Sequence, residues 1–394
     1  MDKYLYWLDR VEGLGNKTKQ NLMEAFGSAR EIYHGQEKYL KYILDEKRLQ
    51  VIKKAQKEAD VENAWEKAVG EEIEMVCYFE AGFPEKLIHI PDPPFCIYYK
   101  GILPDENLPS VAVIGARECS QYGEYVAKEL GKVLGEQGIQ VISGMAKGID
   151  GISQLAALDA GGISFGVLGS GVDVCYPKTN RRLYDRLLEQ GGILSTYPPG
   201  TQPQAKLFPP RNRIVSGLAD VLVVIEARQK SGTYITVEMA LEQGREIYAV
   251  PGRVTDRLSD GCNKMLKDGA HVFLSPQDFL MDLQELLPFA MKEQKKKQCM
   301  AEVFNQSEIG RRKNGNGSGN SQIPTCGNEN DKEDKVMQAM LEVLDFYPKS
   351  MEEIMLQLRE RYQIEQRQED LTTKLMYMCL YGLAKQETPG WFSK

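Results

Sequence analysis

From Val111 to Gly252 the chain repeats one pattern, an apolar β-prone segment running into a Gly-rich turn and then into a helix-like segment. The pieces read VAVIGAR, VISGMAKGID, FGVLGSGVDVCYPKTN, FPPRNRIVSGLADVLVVIEARQKSGT and IYAVPGR. Strands of a parallel sheet are buried on both faces and so appear as continuous apolar runs. The pattern therefore predicts an α/β fold built on a parallel sheet. In such sheets the loops leaving the carboxyl ends of the strands land on one edge, where ligands bind. Glycines, hydroxyls and arginines in these turns suit a phosphate.

The 394 residues suit two or three domains. Apolar residues at three- and four-residue spacings through YLYWLDRV, KQNLMEAF and YLKYIL predict a small helical domain over 1–70. Its Val11–Thr18 turn, VEGLGNKT, resembles a helix-hairpin-helix turn that holds a phosphate, or is a tight turn in a small bundle. The sheet domain is expected over 71–287. From 288 to 334 the chain is charged and Gly/Asn-rich, the composition of a flexible linker. Helical periodicity returns over 335–394 and ends in a hairpin at QETPGW, the order of a winged helix. Its last helix carries Met376, Tyr377, Leu380 and Tyr381 rather than arginines, which favours a protein contact over groove reading.

A net charge of −7 argues against a uniformly basic coat but leaves room for a local basic strip. The eight cysteines show no CxxC pair, so reduced thiols of a cytoplasmic protein are expected, with no metal site. No apolar run is long enough for a membrane span, and MDKYLYWLDRVEG is too charged for a signal peptide. The three histidines lie outside the Gly-rich turns, so a His-based triad or metal cluster lacks its parts. His271 is expected to begin a strand and pack.

The candidate ligand residues follow the turns. Arg117 ends the first strand–turn, and its planar fork suits a phosphate. Ser143 and Gly144 can offer hydroxyl and N–H groups at a helix start, beside Lys147, with Asp150 as the expected N-cap. GARECSQYG lacks the G-x-G-x-x-G spacing, so no dinucleotide cofactor is expected. The Gly169-Ser170-Gly171 turn leads to Lys178. Lys206, Phe208, Arg211, Asn212 and Arg213 combine cations with an aromatic platform, as in single-strand binding, although Phe208 equally suits a core plug. Ser231, Gly232 and Thr233 form a further anion nest, flanked by Arg228 and Lys230.

The order IGAR, SGMAKGID, LGSGVDVCYP, FPPRNRIVSGL, KSGTYIT and AVPG resembles the DNA-processing protein A family, DprA or Smf, densely over about 75–285. The resemblance implies an extended Rossmann-like domain that binds and protects single-stranded DNA during natural transformation. It also implies loading of the recombinase RecA and a homodimer, with no cofactor and no known catalysis. It carries Arg117, Lys178, Lys206, Phe208, Arg211 and Arg213 as DNA contacts. Gln154 stands where the family usually has histidine, and Thr196 where it usually has an acid. The alternative is a nucleotide-handling phosphoribohydrolase of the lysine-decarboxylase-like fold. SGTYITVE echoes its signature loosely, with Glu238 as the acid and Lys230-Ser231 in place of paired glycines.

Overall fold

The computed structural model describes residues 2–290 apart from 59, 71 and 289, with 340, 343–344, 349–362, 364, 368–380, 384–388 and 391–393. The chain divides into two compact units, Met1–Arg311 and Arg312–Lys394. The expected linker lies almost wholly outside the described residues.

The first unit opens with helices α1 to α6, Lys3–Arg10, Asn16–Phe26, Ala29–Tyr33, Glu37–Leu40, Glu46–Glu58 and Val61–Gly70. Next come β1 (Glu74–Cys77), α7 (Glu85–Ile88), β2 (Cys96–Gly101), β3 (Ser110–Ile114), α8 (Gln121–Glu136), β4 (Gln140–Ser143) and α9 (Ile149–Asp159). The unit continues through β5 (Ser164–Val167), α10 (Arg181–Glu189), β6 (Gly191–Ser195), α11 (Phe208–Leu218), β7 (Val221–Val224) and α12 (Gly232–Glu242). It closes with β8 (Glu246–Ala249), α13 (Asp260–Lys267), β9 (His271–Val272) and α14 (Pro276–Leu286).

The strands form one nine-stranded sheet in the order β1-β2-β6-β5-β4-β3-β7-β8-β9. Strands β3 to β9 pair in parallel, while β1 and β2 extend the edge antiparallel. Alternate residues explain the apolar runs. Ala112, Ile114, Leu222 and Val224 pack one way with Ile214 and Val237, whereas Val111, Val113, Val221 and Val223 pack the other way with Leu130 and Phe279. Because the chain builds outward from β3 through β4, β5 and β6 before crossing to β7, the strand order reverses between β3 and β7. A crevice is expected at such a point.

The N-terminal helices are not an independent body. Leu5, Leu8, Leu22 and Ile52 share a core with Phe95, Tyr98 and Ile193 of the sheet region, so the boundary expected at residue 70 falls inside one unit. Two buried charges reinforce this packing, since Asp9 accepts from the Tyr98 hydroxyl at 2.6 Å and pairs with Lys19 at 3.0 Å. The expectation of unpaired thiols is corrected at one place. Cys77 and Cys96 face each other across the β1–β2 register and form a disulfide. Only tertiary pairing brings residues with that spacing together, and no sequence pattern marks it.

The second unit contains β10 (Lys349–Ser350), α15 (Met351–Tyr362), α16 (Gln368–Leu380), β11 (Lys385–Thr388) and β12 (Trp391–Ser393). Its strands order as β10-β12-β11 around Met351, Ile354, Leu371, Leu375 and Phe392. Among the described residues no helix is long and apolar enough to cross a membrane.

Candidate nucleic-acid interface

At the reversal between β3 and β7 the carboxyl edge opens into a cavity of about 630 Å³. The turn after β3 supplies Gly115, Ala116 and Arg117 to its wall. The β4 turn supplies Gly144 and Ala146, α11 supplies Phe208, Arg211 and Asn212, and the start of α12 supplies Ser231, Gly232 and Thr233.

Phe208 is half-buried and organises this wall. Its ring lies 5.6 Å from the exposed ring of Tyr176, and the guanidinium groups of Arg117 and Arg211 lie 5.7 Å and 5.9 Å from its centroid. A Cβ at Gly169 would stand 2.7 Å from the Phe208 ring, so that glycine makes room for the aromatic. Cations over an aromatic face are attracted by its quadrupole. Phe208 is therefore both a packing residue and an open surface.

The two arginines of FPPRNR separate. Helical residues two apart point to different sides. Arg211 is buried at 5% exposure, where Nη1 donates to the Gly144 carbonyl at 2.7 Å and to the Val167 carbonyl, while Nε has no partner. A Cβ at Gly144 would stand 2.5 Å from Nη1, so glycine is needed beside the guanidinium. Burial lowers Arg211 to about 10, opposed by Asp150, so it stays cationic near neutral pH. Arg213 is absent from the cavity wall. It donates to the Asp92 carbonyl and lies 3.4 Å from the Asp92 carboxylate, which in turn accepts from Asn16 of the N-terminal hairpin. Arg213 thus ties α11 to the α7–β2 loop and, through Asp92, to the start of α2, so its guanidinium is engaged with protein groups rather than open.

Three further expectations are corrected. The Ser143 hydroxyl is fully buried and donates to the Val113 carbonyl at 2.6 Å, because as the last residue of a two-faced strand it points into the sheet. Ser170 is also buried and donates to the Val174 carbonyl at 3.1 Å, closing its own turn. Asp150 is not an N-cap, since Gly148 occupies that position. It lies one residue inside α9, accepting from the Gly144 N–H at 3.2 Å, and burial raises its pKa against the opposing pull of Arg211.

The remaining candidates stay open. Arg117, Lys147, Lys178 and Lys206 are exposed and, among the described residues, make no ion pair or side-chain hydrogen bond. Ser231 caps α12, and its buried Oγ has no partner among the described residues, so hydroxyl and helix start are both free to address the cavity that Ser231 lines. Glu238 is exposed on α12 and does not line the cavity. Gln154 is buried and donates to the Ser164 hydroxyl and the Phe165 carbonyl, a core role. His271 is exposed at the start of β9, stacked on Tyr248 at 4.8 Å and 3.0 Å from Glu246. Among the described residues no group of three or more His, Cys, Asp or Glu could hold a metal. Tyr176 was missed as a wall residue, although its adjacency to Pro177 in a Gly-rich turn marks an exposed aromatic.

The sequence model of the DNA recombination-mediator protein A family matches residues 74–284, more than half of the chain. Over 206 residues the chain is 44% identical to DNA processing protein DprA of Streptococcus pneumoniae, covering 51% of this chain and 71% of that protein. Over 203 residues it is 39% identical to Protein Smf of Escherichia coli, covering 51% of this chain and 54% of that one. The crystal structure of the S. pneumoniae protein aligns with a TM-score of 0.61 at 33% identity, covering 71% of this chain and 98% of that chain. With its reversed-order sheet and with the starts of the FPPRNR and SGT helices lining one cavity, the chain belongs to the DNA recombination-mediator protein A family.

Proposed function

We propose that this protein binds and protects single-stranded DNA along the carboxyl edge of its sheet and passes it to a RecA recombinase, as a homodimer in the cytoplasm. It acts by binding rather than by catalysis. The observation that carries this reading is the Tyr176–Phe208 pair, with Arg117 over the Phe208 ring at the mouth of the cavity. Unpaired bases have free π-faces for such a platform, whereas a duplex keeps its bases stacked inside. Among the described residues Arg117, Lys178 and Lys206 lie outside any ion pair, so a phosphate does not have to displace a carboxylate of these residues to reach them. Buried Arg211 and the partnerless Ser231 hydroxyl add positive potential and a donor at the cavity floor.

Fluorescence anisotropy with labelled oligo-dT and a matching duplex, over a salt series, tests the first step. Preferential binding to the single strand that weakens steeply with salt is expected, because phosphate contacts release counterions. Equal, weak binding to both would contradict it. The second step is tested by recombinase filament growth on the same single strand, which this protein should accelerate. Sedimentation at rising concentration reads the homodimer.

A further inference from the structure

The parallel sheet places the loops after β7 and β8 beside each other on the edge that holds the cavity. They are tied together. The Ala227 N–H donates to the Leu258 carbonyl at 2.8 Å, and the Gly261 N–H donates to the Ala227 carbonyl at 2.8 Å. Gly252 and Asn263 exchange a reciprocal amide pair at 3.2 and 3.0 Å. Within the second loop the Asp256 N–H donates to the Arg253 carbonyl at 3.0 Å, and the Asp256 carboxylate accepts from the Leu258 N–H at 2.9 Å. The loop is therefore held in shape by its own backbone, with its acid engaged in that task.

On these tied loops Arg228, Lys230, Arg253 and Arg257 are all exposed, and among the described residues none makes an ion pair or a side-chain hydrogen bond. The nearby Glu226 does not neutralise them, being 1% exposed and accepting from Ser120 at the start of α8. Elsewhere on the sheet unit the exposed Arg181 is paired with Asp185 and the half-buried Arg186 with Asp159. Tyr122 completes the setting. The residue is 47% exposed, and its hydroxyl donates to the Pro251 carbonyl at 3.1 Å, which fixes an aromatic side chain beside the β8 loop.

We propose that these two loops form a second stretch of single-strand track. Arg253 and Arg257, with Arg228 and Lys230, bind phosphates of the strand after it leaves the cavity past Ser231–Thr233, and Tyr122 offers a face to a base. The inference rests on the single-strand reading above. The ligand class is the single-stranded nucleic-acid backbone. Duplex and free nucleotide are the competing occupants, and each predicts a different test result. Four free cations on a rigid loop pair address a polyanion more than a single phosphate, because they are distributed over two strand ends rather than gathered in one pocket.

The test compares the full chain with R253A/R257A on two oligo-dT lengths, about five nucleotides to fill the cavity alone and about thirty to extend beyond it. The variant is expected to bind the short strand like wild type and the long strand about tenfold more weakly. Its salt slope on the long strand should be shallower by about 1.4, two contacts at about 0.7 each. R253K/R257K should restore most of the loss, since charge is the active property. Unchanged long-strand affinity and slope would overturn the inference while leaving the cavity reading intact. An equal loss on both lengths, or a loss on duplex alone, would overturn it as well. Wild type that binds neither length would overturn the single-strand reading itself.

Discussion

The two ends of one parallel sheet treat charge in opposite ways. At the amino end Lys86 pairs with Asp220 at 2.8 Å and donates to the Ser110 hydroxyl, and Asp220 also accepts from the Ser110 N–H. Arg245 donates there to the Gly217 carbonyl. At the carboxyl end Arg117, Lys147, Lys178, Lys206, Arg228 and Lys230 stand exposed with no ionic partner among the described residues. The amino end uses ionised groups to stitch strand starts to helix ends. The carboxyl end keeps them available. A chain with a net charge of −7 can therefore present a basic face without becoming basic, because its acids neutralise cations elsewhere. Arg211 and Arg213 qualify this contrast, since both sit at the open end yet are engaged with protein groups.

The largest expected effect comes from removing the buried cation. Arg211→Ala leaves Asp150 buried without its counter-charge and should cost about 3–5 kcal/mol of stability. Thermal or denaturant unfolding reads it, and a stable variant would show that Arg211 does not hold the β4 turn. Lys86→Ala at the opposite end should cost about 1–3 kcal/mol while leaving single-strand affinity of the folded protein unchanged. A drop in affinity there would blur the division between the two ends. Phe208→Ala should weaken oligo-dT binding by about 1–3 kcal/mol, the range for one stacked base. The smallest effect sharpens the contrast within the FPPRNR motif. Arg117→Ala should make the salt slope shallower by about 0.7, whereas Arg213→Ala should leave the slope alone and resemble Asp92→Ala in stability. A shallower slope for Arg213→Ala would return that residue to the DNA surface.

Much of the sheet was legible because burial on both faces leaves a plain signature, apolar runs such as VAVI and VLVVI broken by glycine turns. The antiparallel β1 and β2 were harder to see, since EMVC and CIYYKG are short and their pairing is set only by tertiary contact. The site was legible as a set of turns but not residue by residue. Ser143 looks like an anion ligand until its position as the last residue of a buried strand is known. The divergence of Arg211 and Arg213 was available from helical geometry, because residues two apart cannot share a face. Which of them faces the cavity depended on how α11 packs, and on Asp92, a residue 121 positions away from Arg213.

The most direct test is the salt dependence of oligo-dT binding, measured by anisotropy for wild type, a K147A/K178A/K206A variant and K86A. The open carboxyl end predicts a slope shallower by up to about 2 for the triple variant, three contacts at about 0.7, and no change for K86A. Equal slopes for all three proteins would contradict the account, since the free cations of the carboxyl edge would then bind no phosphate.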